Sequence, residues 1–387
     1  MNEAIKKAEK ESTDFINQNN RFIETGDPFV KYIAPHDGLA SFGRPNTTVN
    51  IRKEKTADSL MYPNALVFEA TYNFDDQGRR KTGKVDGNKD SVALFFGDAH
   101  CFGEGLNDNE TLPYFFEERY TNYTSYNYGF LGHGPNHMLY RINTKKFKEE
   151  FKDCKGKVFF IYRDDAVKVS VGEVPWGEGY PKYILEDNNV IYKGSYGGNT
   201  YKPNNMYLPS MFTENDLNIT TGILKECETK LKEISDLLEL HVVIIPLSFS
   251  NYEIQPLLED NGINVINLYT TDLEFHTNAN ARFLDGVHTK YSNKLIVSLI
   301  DKHIKKLLTN SNNGYDEYRT LEDLEKRLQL EAMYIPCMVD FPYDDAGVII
   351  SNVLKRYKGI SVEYNYLLNY LKNKHTEKLN KLQNVTN

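Results

Sequence analysis

The chain has 387 residues, 40% hydrophobic and 26% charged, with a mean hydropathy of -0.56. That composition excludes collagen, a disordered chain and a membrane span, and the length suits two ordinary domains or one enlarged α/β domain with additions. A formal net charge of -8 argues against a nucleic-acid partner, because phosphate-backbone binding is driven by clustered Lys and Arg. The Lys-rich stretch Lys145-Lys146-Phe147-Lys148 runs into Glu149 and Glu150, so it reads as a solvated helix face. The four cysteines, Cys101, Cys154, Cys227 and Cys337, form no Cys-x-x-Cys pair and fit neither a disulfide framework nor a zinc ribbon. They are expected to be reduced thiols, which places the chain in the cytoplasm.

Met1 to Arg21 is polar, with Ile5, Ala8, Phe15 and Ile16 on one side of an expected amphipathic helix, and lacks the apolar run of a signal peptide. A Gly-, Pro-, Asn- and Asp-rich stretch follows between Asp27 and Asn88, with short β-like pieces such as Ala65 to Tyr72; residues 1–88 are read as an N-terminal extension. At Ser91 the pattern changes to a short continuous apolar run, Val92 to Phe96, then a polar loop and a helix from about Glu110 to Tyr120. The unit recurs at Lys157–Tyr162, at His241–Pro246 after a helix of some twenty residues from Thr220, and at Asn264–Leu268. Alternation of buried strands and helices predicts an α/β fold, a three-layer, doubly wound parallel sheet spanning residues 89–309. Ligand chemistry in such a sheet belongs to the carboxyl ends of the strands, here the loops after Phe96, Tyr162, Pro246 and Leu268. Residues 310–387 turn helical and charged, and are expected to form a helical segment that could pair two copies of the chain.

The first strand runs into Gly97-Asp98-Ala99-His100-Cys101, and a late loop carries Asp285-Gly286-Val287-His288 before a helix starting near Thr289. Position 99 falls at a tight strand-to-helix turn, which presents its side chain at the top of the sheet and its N–H toward a bound carbonyl. An Asp and a His three residues apart on one loop can face that point together, the carboxylate orienting the imidazole. Taken alone, an Asp-x-x-His loop is more often than not just a Gly turn opening a helix.

These residues resemble the SGNH, or GDSL-type, hydrolase family, whose fold is flavodoxin-like: Gly97-Asp98-Ala99 matches its Gly-Asp-Ser block and Asp285-x-x-His288 its Asp-x-x-His block. Asn127-Tyr128-Gly129-Phe130-Leu131-Gly132 is similar to its Asn-x-Gly-x-x-Gly block. The resemblance covers roughly Ser91 to Leu308 and implies a Ser-His-Asp esterase acting on a short O-acyl group of a carbohydrate or small molecule. It implies Asp285 and His288 as catalytic partners and backbone donors at positions 99 and 132 as an oxyanion hole, with no metal or organic cofactor. Two departures stand out. Position 99 is Ala, and the loop after Tyr162 reads Arg163-Asp164-Asp165-Ala166 where the family carries an oxyanion-hole Asn, leaving Asn136 as the candidate third donor.

Three explanations of Ala99 are open: an engineered Ser-to-Ala substitution that disables an esterase, a natural pseudoenzyme that binds an acylated glycan without turnover, or a nucleophile displaced to Cys101 or His100. Candidate substrate contacts are Asp98, His100 and the rim residue His133, with Trp176 and Tyr180 from a Gly- and Pro-rich loop. His133 and His137 lie four apart, a zinc-like spacing, but Pro135 and two glycines interrupt the helix such a site needs, and no metal is expected.

Overall fold

A computed structural model describes residues 22–26, 33–36, 40–55, 66–82, 91–163, 165–174, 177–197, 212–245, 251–268 and 288–308. The expected helix at 1–21, Asp285, Trp176 and the segment 310–387 lie outside the described residues. Contacts divide the chain into two compact units, Met1–Tyr207 with Phe212–Lys305, and Leu208–Met211 with Lys306–Asn387; everything below concerns the first. No helix among the described residues is long and apolar enough to cross a membrane.

The strands are β1 (Phe22–Gly26), β2 (Ile33–His36), β3 (Ala40–Gly43), β4 (Thr48–Lys55), β5 (Leu66–Asn73), β6 (Ser91–Gly97), β7 (Tyr123–Asn127), β8 (Gly156–Tyr162), β9 (Pro181–Glu186), β10 (Asn189–Ser195), β11 (Leu238–Ile244) and β12 (Asn264–Asn267). The helices are α1 (Ala99–Phe102), α2 (Leu112–Arg119), α3 (Pro135–Ile142), α4 (Lys145–Phe151), α5 (Asp165–Ser170), α6 (Glu214–Ile234), α7 (Asn251–Asp260) and α8 (Lys290–Leu308).

The central sheet has the order β12-β11-β8-β6-β7, every neighbouring pair parallel. With β6 as its first strand this is the 2-1-3-4-5 winding of flavodoxin-like folds, so the direction of winding reverses between β6 and β8. The sequence dictates it: every residue of β6 is buried, as a parallel strand covered on both faces must be. Leu94 and Phe96 point with Val158, Phe160 and Val242 toward α3, α6 and α7, in a core that includes Met138, Leu224 and Leu258. Ala93 and Phe95 point with Phe159, Ile161 and Val243 to the other face, against Phe116 of α2 and Ile296 and Ile300 of α8. The expected three-layer α/β architecture is therefore the one observed.

Helix α6 starts earlier than the apolar spacing predicts. Thr213 and Asp216 form a capping box, Thr213 Oγ1 accepting from Asp216 N at 3.1 Å and the Asp216 carboxylate accepting from Thr213 N at 3.0 Å, which fixes the first turn at Glu214. Before the central sheet, β4 and β5 pair antiparallel with β1 outside them. Their inner face, with Val49, Ile51, Phe68 and Tyr72, forms one core with Phe74, Phe102 and Phe130. The N-terminal residues thus pack directly on the segment that follows β6.

Candidate functional site

Gly97 ends β6 with φ +146°, a conformation open to glycine, and a Cβ there would stand 2.9 Å from the Ile161 carbonyl. The chain then turns sharply. Asp98 caps α1 by accepting from His100 N at 2.9 Å, and Ala99 is the first helical residue. On the other side of the switch point, β8 ends at Tyr162 and delivers Arg163 to the same place. Its guanidinium lies 3.5 Å from the Asp98 carboxylate, 3.1 Å from His100 Nδ1 and 3.0 Å from the Asp165 carboxylate. The third contributor lies two residues before α8: the ring of His288 meets that of His100 edge-on, centroids 4.4 Å apart, with both imidazoles buried. Asp98, Ala99, His100, Arg163 and His288 therefore converge at the carboxyl ends of β6 and β8, where a doubly wound sheet opens its crevice.

The electrostatics follow from this crowding. Burial opposes a charge on Asp98, but His100 and Arg163 outweigh it and hold the carboxyl well below the ordinary carboxylate range. Asp165 is displaced the other way, because burial and the neighbouring Asp98 charge dominate over Arg163. Asp98 also faces Cys101. Burial and that carboxylate push the fully buried Cys101 thiol well above its usual value, the opposite of what a thiolate nucleophile requires.

The loop after β7 is laced to the end of β6. Tyr128 N donates to the Phe95 carbonyl at 2.7 Å and Phe130 N to the Gly97 carbonyl at 3.0 Å, while buried Asn127 donates to the Cys101 and Phe102 carbonyls and accepts from Gly129 N. Gly132 follows at φ +72°. Asn136 has a different part from the expected one. Its two amide N–H groups go to the Val169 and Pro181 carbonyls, at 3.3 and 3.0 Å, and its oxygen sits 3.0 Å from His137 Nδ1, so the side chain ties α3 to its neighbours and offers no donor to an oxyanion. His133 lies buried with its ring stacked on that of His137 at 4.2 Å, and Tyr180 meets His137 edge-on at 4.1 Å. Burial and His133 push His137 well below the usual imidazole value, so His137 is packed as a neutral ring. No group of three His, Cys, Asp or Glu suited to a metal occurs among the described residues.

Two residues in this neighbourhood were not singled out from the sequence. Arg163 is the first residue after a parallel strand at the switch point, a position that strand order would flag. Arg80 carries no such signal. It comes from the N-terminal region, and its side chain is fully buried against the carbonyls that end α1.

No protein-family model matches this sequence, and no curated protein is a match. Solved structures with a similar trace include an esterase, EstA, from Pseudoalteromonas sp. (14% identity, 57% of this chain and 100% of that one, TM-score 0.37). Others are a lipolytic protein of the G-D-S-L family from Veillonella parvula (13%, 56% and 99%, 0.37) and an acetyl xylan esterase, Est2A, from Butyrivibrio proteoclasticus (11%, 57% and 65%, 0.36).

Proposed function

We infer that this chain carries the scaffold of an SGNH-type serine esterase for an ester-linked acyl group, an O-acyl carbohydrate or small ester, and that Ala99 leaves it without a nucleophile. The observation that carries the reading is the meeting of the Asp98-Ala99-His100 turn with His288, which comes from the far end of the domain, 4.4 Å between imidazole centroids. With a serine at 99, Oγ attacks the ester carbonyl, His288 takes the proton and returns it to the leaving alkoxide, and Asp285 orients His288. Backbone N–H groups at 99 and 132 receive the oxyanion. The acyl-enzyme then passes to water or to an acceptor hydroxyl. A methyl group cannot begin this sequence, and loss of the serine from such a pair costs on the order of a million-fold in turnover. Cys101, Cys154 and Cys227 are free thiols, which fits a reducing compartment such as the cytoplasm.

The test is esterase activity of Ala99→Ser on p-nitrophenyl acetate, with Ala99→Ser/His288→Ala as control. Turnover by the first and not the second supports the assignment; no turnover by either refutes it. Arg163 favours a second reading, a binding module without turnover. A guanidinium ion-paired with Asp98 and Asp165 stands where a neutral amide donor belongs in the family the sequence resembles. Under that reading an acetylated xylooligosaccharide binds the chain by calorimetry and survives incubation with Ala99→Ser.

A further inference from the structure

We propose that Arg80 is a positioning residue of this site, clamping α1 from its carbonyl end and so fixing where position 99 stands. The inference rests on the reading above only in taking α1 as the site's helix. Short helices leave their last carbonyls without intrahelical partners, and α1, four residues long, has little besides its surroundings to hold it.

Asn127 donates to the Cys101 and Phe102 carbonyls and Leu106 N to that of Gly103, and Arg80 adds a second donor at Phe102 and Gly103. Its guanidinium donates to the Phe102 carbonyl at 3.1 Å and to those of Gly103 and Leu106, while Nε meets the Asp108 carboxylate at 3.2 Å. The rings of Tyr72 and Phe102 cover its charge at 4.1 and 4.8 Å. A planar fork of five donors can span three carbonyls and a carboxylate together; an ammonium cannot. The backbone of Arg80 is fixed as well, bridged to Phe74 on one side and on the other to Asn127, whose side chain reaches the Cys101 and Phe102 carbonyls. One residue thereby joins β5, the edge of the central sheet and the end of α1.

The rest of the N-terminal sheet holds the same loop. Lys53 pairs with Glu104 at 3.1 Å, Tyr72 Oη accepts from Gly105 N at 2.8 Å, and the Asn107 and Asp108 side chains accept from the Thr71 and Asn73 amides. Residues 102–108 are gripped along their length by an element outside the central sheet. What that element contributes is the position of a turn, and Arg80 carries hydrogen bonds to the Phe102 and Gly103 carbonyls.

The test uses hydrogen exchange by mass spectrometry on the full chain, which needs no enzymatic activity, with Arg80→Met, Arg80→Lys and Asp108→Asn. The expected result for Arg80→Met is exchange at least tenfold faster in peptides covering 99–106, with peptides covering β6, β8 and β11 unchanged. Arg80→Lys falls between Met and the parent, and Asp108→Asn shows a smaller effect in the same peptides. Acceleration spread evenly over the central sheet makes Arg80 an ordinary stability residue and overturns the proposal; so does unchanged exchange at 99–106. If Arg80→Met does not fold, Arg80→Lys and Asp108→Asn decide by the same criterion. In the Ala99→Ser background, Arg80→Lys lowers kcat at least fivefold with KM within twofold; equal loss in both refutes positioning. Failure of Ala99→Ser itself to turn over ester leaves the exchange result standing, so the two readings fall separately.

Discussion

Gly129→Ala is a stringent probe of how closely the loop after β7 approaches α1. A Cβ built at Gly129 lies 2.5 Å from Phe102 N and 2.7 Å from both Cβ and Sγ of Cys101. Ordinary contact begins near 3.4 Å, so loop and helix must separate by about 0.9 Å, and the nearest atom is backbone that cannot swing aside as a flexible side chain would. Because Gly129 is outside the left-handed region, alanine carries no dihedral penalty there and the cost is contact alone. Forced overpacking of this kind costs about 1–3 kcal/mol, roughly a five- to 150-fold larger unfolding constant. The separation also strains the Asn127 bonds to the Cys101 and Phe102 carbonyls. Gly197→Ala is the control, since nothing lies within 4 Å of its Cβ; it is expected to change stability by less than about 0.5 kcal/mol. Urea unfolding followed by far-ultraviolet circular dichroism reads both. A midpoint for Gly129→Ala equal to the parent's would mean that the loop does not touch α1 as described.

Two further outcomes follow from the titrating groups of the site. Asp98 has its folded pKa depressed below the unfolded value of about 3.9, so its charge stabilises the fold above that pH and the contribution is lost as pH falls through it toward the folded value. Asp165 is shifted oppositely, so the comparison is made in an Asp165→Asn background: there the stability gap between Asp98 and Asp98→Asn is wide at pH 7 and narrows toward pH 3, and a constant gap contradicts the ion pair with Arg163. Native-state alkylation by iodoacetamide at pH 7.5 is expected to modify Cys154, only partly buried, at least tenfold faster than Cys101 or Cys227, whose thiols burial pushes far up. Prompt alkylation of Cys101 would restore it as a candidate nucleophile.

The central strands were legible because both of their faces are covered, which leaves continuous apolar runs such as Val92 to Phe96. The edge strand β7 was not, since Tyr123-Thr124-Ser125-Tyr126-Asn127 is polar for a reason visible only in three dimensions: Ser125 N donates to buried Glu117 and Asn127 serves the α1 carbonyls. The hairpin of β9 and β10 carried a usable signal in Asp187-Asn188, both at positive φ as its turn demands, and the start of α6 carried another in Thr213-x-x-Asp216. At the site, Asp98, Ala99, His100 and His288 could be named because each lies at a strand end or a helix start. Asn136 was misplaced because sequence shows an amide but not the Val169 and Pro181 carbonyls that occupy it. Arg80 acts wholly on partners remote in sequence, which no local pattern encodes, whereas Arg163 joins its near neighbour Asp165 to the remote Asp98 and His100, a link that only the strand order makes visible.

The N-terminal sheet also bears on the order in which the chain assembles. Strands β4 and β5 are antiparallel neighbours in sequence, pairing Thr48 with Asn73, and close a short loop. Strand β6 needs Gly156 opposite Val92, and β8 in turn needs Leu238 opposite Gly156, so the central sheet closes long loops whose entropy is paid before any contact is gained. During synthesis the hairpin carrying Tyr72 is complete while the partners of β6 are still unmade. On this loop-length argument the segment 102–108 is expected to meet β4 and β5 before β6 meets β8, and φ-values measured at Tyr72 and Val158 would read that order.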